Sequence, residues 1–114
     1  MPYVQVRVSA KLSKEQIEKI ATEALESITI ISGKTAAVTM AEVIDGCNLY
    51  FGSVDSGDCI LVDVGASNSP DPEELRAYSK NISKKLAEIT AIKQDRIYVK
   101  HYANPQWHTG KMFM

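Results

Sequence analysis

Tyr3-Val4-Gln5-Val6-Arg7-Val8 sets three valines against polar neighbours in strict alternation. That is the period of a strand buried on one face and open on the other. Ser13-Lys14-Glu15-Gln16 follows and reads as a capping box, the serine accepting from the first-turn amides while the glutamine reaches back. Behind it Ile17, Ile20, Ala21, Ala24, Leu25, Ile28 and Ile31 recur at three- and four-residue steps. The spacing predicts one apolar helix face over 14–32, with Gly33 as a left-handed C-cap. A second strand is expected over 38–45, followed by a short apolar piece, Leu49-Tyr50-Phe51, that ends at Gly52.

The same order then recurs. Ile60, Val62 and Val64 alternate with Leu61 and Asp63, a strand again. Asp71-Pro72-Glu73-Glu74 is a second helix start, with Asp as N-cap and Pro in the first helical position. Leu75, Ser79, Ile82, Leu86 and Ile89 share a face, which predicts a helix over 72–91. Ile97-Tyr98-Val99-Lys100-His101-Tyr102 is the returning strand. A right-handed crossover makes the strands within each unit parallel. Two tandem β-α-β units side by side give an α+β fold, a two-layer α/β sandwich: a four-stranded mixed sheet with both helices on one face. The other face is left bare, either an association surface or the polar side of a monomer.

The chain has 114 residues, which suits a single domain over 1–114. Thirteen basic against 14 acidic side chains give a net charge of −1, so neither nucleic acid nor an anionic membrane is an expected partner. No stretch has the apolar length of a membrane span, and the N-terminus lacks the pattern of a secretory signal. The expected compartment is therefore the cytoplasm. Cys47 and Cys59 match neither a CxxC redox pair nor a zinc cluster, and two separate thiols are the expected state.

Familiar catalytic signatures are missing: there is no Gly-rich phosphate loop, HExxH or GxSxG. His101 and His108 lack a third ligand at metal spacing, so no metal site is expected; they read as one strand-surface and one loop histidine. What remains is Pro2, directly after Met1. Removal of Met1 would leave a secondary amine at the start of a strand. An α-amino group titrates near ~8, and desolvation or a neighbouring cation lowers that value. A neutral prolyl nitrogen then suits general-base work near neutral pH.

Several landmarks accompany Met1-Pro2. They are Gly33-Lys34 after the first helix, Phe51-Gly52-Ser53 before the third strand and Val64-Gly65 at its end, Asp95-Arg96-Ile97-Tyr98-Val99 opening the returning strand, and Trp107 and Phe113 in the tail. In this order and spacing the chain resembles the tautomerase superfamily, in its branch of macrophage migration inhibitory factor and D-dopachrome tautomerase. The resemblance implies a homotrimer whose three sheets close into a barrel, with a site between subunits. It implies a cofactor-free isomerase, an intramolecular oxidoreductase that interconverts keto and enol forms of an α-keto acid such as phenylpyruvate. Carried over by position, Pro2 is the base, Lys34 pairs with the substrate carboxylate and the Val64 backbone bonds the same end. Tyr98 arrives from a neighbouring subunit, and Trp107 and Phe113 are apolar walls. A protein of this fold with a vestigial pocket, acting as a cytokine or host modulator on an unknown receptor, is the alternative. Relatives leave cells without a signal peptide, so that route accompanies the alternative. A related dehalogenase would need a carboxylate to activate water near Pro2, and the sequence identifies none.

Three departures bear on the site. Lys100 stands where the family usually has asparagine; alternation puts it on one face with Tyr98 and Tyr102, where it reads either as a second cation favouring acidic or diacid substrates or as a rim residue. The tail Trp107-His108-Thr109-Gly110-Lys111-Met112-Phe113 lacks the family's Asn-rich run. Ser56-Gly57-Asp58-Cys59 keeps only the second cysteine of the cytokine's CxxC, so thiol–disulfide chemistry is not carried over.

Overall fold

A computed structural model describes residues 2–112. Four strands, β1 (Tyr3–Val8), β2 (Met40–Ile44), β3 (Ile60–Ala66) and β4 (Ile97–Ala103), alternate with helices α1 (Lys14–Ser27) and α2 (Pro72–Thr90) in two β-α-β units. The sheet order is β2-β1-β3-β4. β1 pairs β2 and β3 pairs β4 in parallel, while β1 and β3 join the two units antiparallel. The expected two-layer fold is therefore present.

Alternation decides which side chains meet the helices. Val4, Val6 and Val8 of β1 are fully enclosed beside Ile60, Val62 and Val64 of β3. Ile20, Ala24 and Ile28 from the first unit, and Tyr78, Ile82 and Leu86 from the second, complete this core. Each such Val, Ile or Leu contributes roughly 1.5–3 kcal/mol. Among the described residues no helix is long and apolar enough to cross a membrane.

The predicted starts of both helices are present. Ser13 and Gln16 form the reciprocal capping box, and Asp71 caps α2 by accepting from the Glu73 amide at 2.8 Å. The ends differ from expectation. α1 stops at Ser27, and Ile28–Ile30 tighten into a 3-10 turn. Three of the four residues Ile28-Thr29-Ile30-Ile31 are isoleucines and all four are β-branched, which disfavours continued α-helix. A 3-10 turn stacks positions i and i+3, and Ile28 and Ile31 are both buried. Gly33, at φ 79°, lies in the turn after this piece rather than capping α1. On α2 the buried ridge runs through Tyr78, with Ser79 only half-buried.

The second face of the sheet is polar along its middle. Glu42, Gln5, Asp63 and Lys100 are paired neighbours in one row across all four strands. Tyr3 donates to the Glu42 carboxylate at 2.5 Å and Gln5 donates to the same oxygen at 2.8 Å. Apolar and aromatic groups flank this row: Leu61 and Tyr98 on one side, Tyr3 and Tyr102 on the other. Cys47 and Cys59 are both free thiols. They bond the backbone on either side of the end of β1, at Val8 and Ser9 respectively.

Candidate functional site

One end of the sheet collects the start of β1 and the ends of β3 and β4. Pro2 is buried there, and its carbonyl accepts from the Met40 amide at 3.1 Å. It stands one residue before Tyr3, which faces Gly65 on β3 and Met40 on β2. Strand alternation puts Pro2 on the helix-facing side with Val4. The Val64 side chain is fully buried, so this residue can meet a ligand only through its backbone.

Lys34 reaches this region from the turn after α1. Its amide donates to the Ile31 carbonyl at 3.1 Å. Glu74 pins the same turn to the start of α2 by accepting from the Ser32 amide at 2.9 Å and from the Ser32 hydroxyl. Glu74, three residues after the Asp71 cap, thus ties the two halves together. Lys34 is half-buried as a residue, and its ammonium donates to the Asn68 amide oxygen at 2.6 Å. That acceptor is neutral, so it does not offset the lysine's charge.

His101 belongs to the same neighbourhood. It pairs with Val64 and so faces the helices, not the solvent side first expected. Burial, and then the Lys34 charge, lower its pKa below the ordinary histidine value. Its Nε2 is enclosed without a hydrogen-bond partner among the described residues. The tail leaves β4 at this end too, where the Asn104 amide donates to the Ala66 carbonyl at 2.7 Å. Trp107 follows, half-buried, with its indole nitrogen enclosed and unpartnered among the described residues. Phe113, the other tail residue expected at the site, lies outside the described residues.

Tyr98 and Lys100 are elsewhere. Tyr98 pairs with Leu61, at the far end of β3 from Gly65; that is roughly 13 Å along the strand. It also projects from the opposite face to Pro2, and it is 62% exposed. Its ring meets Phe51 edge-on at 5.0 Å between centroids. Leu49, Phe51, Cys59, Leu61 and Tyr98 border an apolar cleft of about 230 Å³. Lys100 does share the face of Tyr98 and Tyr102, and its ammonium lies 3.5 Å from the Asp63 carboxylate. Within one chain, then, Pro2, Lys34 and Val64 gather at one end and Tyr98 lies at the other.

Asn68, Asp63 and His101 were not anticipated as partners. Asp63 carried a usable signal, an acidic residue at an outward strand position. Asn68 sits in the Ser/Asn/Pro loop 67–71, which reads only as a turn.

The family model described as macrophage migration inhibitory factor (MIF) matches residues 1–112. Among solved structures, MIF2 from Leishmania major superposes with a TM-score of 0.88 at 18% identity, over 100% of this chain and 97% of that one. The MIF homologue from Prochlorococcus marinus gives 0.83 at 17%, covering 98% and 99%. Pt0534, solved after inactivation by 2-oxo-3-pentynoate, gives 0.83 at 16%, covering 97% and 94%. At these identities the likeness is one of fold. No curated protein gives a significant match.

Proposed function

The chain belongs to the macrophage migration inhibitory factor family, and we propose that it is a keto–enol tautomerase acting on an α-keto acid of the phenylpyruvate kind, with no cofactor. The observation that carries this reading is the placement of Pro2, buried, at the end of the sheet where Lys34 holds an unneutralised charge. Burial first and then the Lys34 charge depress His101, and the same two influences favour an unprotonated amine at a buried Pro2. After removal of Met1 the Pro2 nitrogen takes the proton from the carbon beside the keto group. The electron pair moves to the carbonyl oxygen, and the proton is then delivered to that oxygen to give the enol.

Lys34 and the Val64 backbone hold the carboxylate end, which also brings a positive field to the developing enolate. Trp107 and Phe113 wall the apolar end. Tyr98 and Lys100 come from an adjoining copy in a homotrimer, because one chain keeps them far from Pro2. The inactivation of Pt0534 by a 2-oxo acid supports an α-keto acid as the substrate class.

The test is intact mass followed by phenylpyruvate enolisation on the processed protein. Pro2→Gly is expected to lower kcat/KM by about 100-fold or more, the contribution typical of a general base. Undiminished turnover in that variant removes Pro2 from the chemistry.

A further inference from the structure

Arg96 ends a short 3-10 turn just before β4, outside the residues assigned to the site above. Its Nε donates to the Asp58 carbonyl at 2.7 Å, and one terminal nitrogen donates to the Ser56 hydroxyl at 3.0 Å and the Gly57 carbonyl at 3.2 Å. The Ser56 hydroxyl in turn donates to the carbonyls of Phe51 and Ser53. The guanidinium also stands over the Phe51 ring, 5.1 Å from its centroid. Phe51 then meets Tyr98 edge-to-face. One arginine thus ties down the backbone of the 51–58 loop and backs the ring on which Tyr98 rests.

We propose that Arg96 is a positioning residue for the Tyr98 ring, acting through Phe51. This rests on the reading that Tyr98 borders the site of an adjoining copy. An exposed aromatic side chain ordinarily samples several rotamers and must surrender that freedom to clamp a ligand. Tyr98 is exposed yet has a fixed partner beneath it, and that partner is fixed by a cation and a hydrogen-bonded loop. The mounting removes the ordering cost before substrate arrives. The cation and edge-to-face contacts are each directional, so they set the orientation of the ring as well as its position.

A double-mutant cycle on phenylpyruvate enolisation tests this. Arg96→Met is expected to lower kcat/KM about fivefold, the scale of freezing one side chain, with the loss carried by KM. In a Tyr98→Leu background the same substitution is expected to change kcat/KM less than about twofold, because nothing remains to be positioned. An equal loss in both backgrounds overturns the proposal. Should Arg96→Met fail to fold, Phe51→Leu carries the same cycle, with the same expected disappearance and the same overturning result.

Aromatic carbon–proton spectra give a readout independent of turnover. The Tyr98 ring signals should carry a ring-current shift from Phe51 that moves toward free-tyrosine values in Arg96→Met, while the methyl signals of Val6 and Val62 stay in place. Unmoved Tyr98 signals overturn the proposal. Absence of Pro2-dependent turnover in the unsubstituted protein sinks the tautomerase reading, and the spectra then decide the role of Arg96 alone.

Discussion

Lys34 gives its ammonium to the amide oxygen of Asn68, 2.6 Å away, and not to a carboxylate. A neutral acceptor orients the lysine without cancelling it. Asn68→Asp keeps the shape and adds the missing negative charge. This variant is expected to raise KM for an α-keto acid about tenfold or more, whereas Asn68→Ala, which only loosens the lysine, costs about two- to threefold. Steady-state kinetics of the two variants side by side check the sign and the order.

Lys100 stands in the opposite condition, 3.5 Å from Asp63 with its charge shared. One Asp63 oxygen meets Lys100 and the other is enclosed without a partner among the described residues. Asp63→Asn should release the Lys100 charge and shift preference toward dicarboxylate enols. Contrary to the diacid preference first expected of a second cation, Lys100→Asn should leave the ratio of monoacid to diacid turnover near that of the unsubstituted protein, because Asp63 already pairs with the lysine it removes. Substrate-pair assays on both variants check this; a diacid preference that collapses in Lys100→Asn would show that Asp63 does not neutralise it.

Gly65 lies under the Tyr102 ring, and a Cβ built there would fall 2.6 Å from the phenol end. Tyr102 is 43% exposed, so the ring can swing away. Gly65→Ala is therefore expected to cost only about 1 kcal/mol, at the low end for overpacking. In a Tyr102→Ala background the same change should become neutral or slightly stabilising, since alanine suits a strand better than glycine. Urea denaturation of the four proteins completes the comparison.

The Tyr3–Glu42 pair predicts loss of stability at both extremes of pH. Its hydrogen bond to Glu42 leads the causes that push the Tyr3 phenol up to about 12. The folded state therefore holds this proton more tightly than the unfolded chain, and the benefit fades between the ordinary tyrosine value near ~10 and about 12. Glu42 is held below its ordinary value, first by Tyr3 and then by Gln5. That contribution is present above the ordinary glutamate range and is lost as pH falls through the depressed value. Tyr3→Phe should flatten the alkaline limb and reduce the acid one in pH-dependent denaturation.

The strands and helix starts were legible because their signals are local. Alternating valines mark β1 and β3, and Ser13 with Gln16 marks the beginning of α1 within a few residues. What escaped was decided at long range. Nothing near Glu74 says that it will bond Ser32 and not its own cap, and nothing near Asn68 names Lys34. Tyr78 displaced Ser79 from the expected ridge because the helix settled with the larger apolar ring toward the sheet. The bare sheet face was visible as a topological consequence, whereas its polar middle row emerged only when register set Glu42, Gln5, Asp63 and Lys100 side by side.

Pro2 and Tyr98 occupy opposite ends of one sheet, and under the proposed assembly every site is a joint property of two polypeptides. Two alleles, one inactivated at Pro2 and one impaired at Tyr98, should then complement each other when coexpressed, since mixed trimers contain some junctions where an intact base meets an intact ring. A heterozygote or a paralogue pair would show more activity than either gene product has alone.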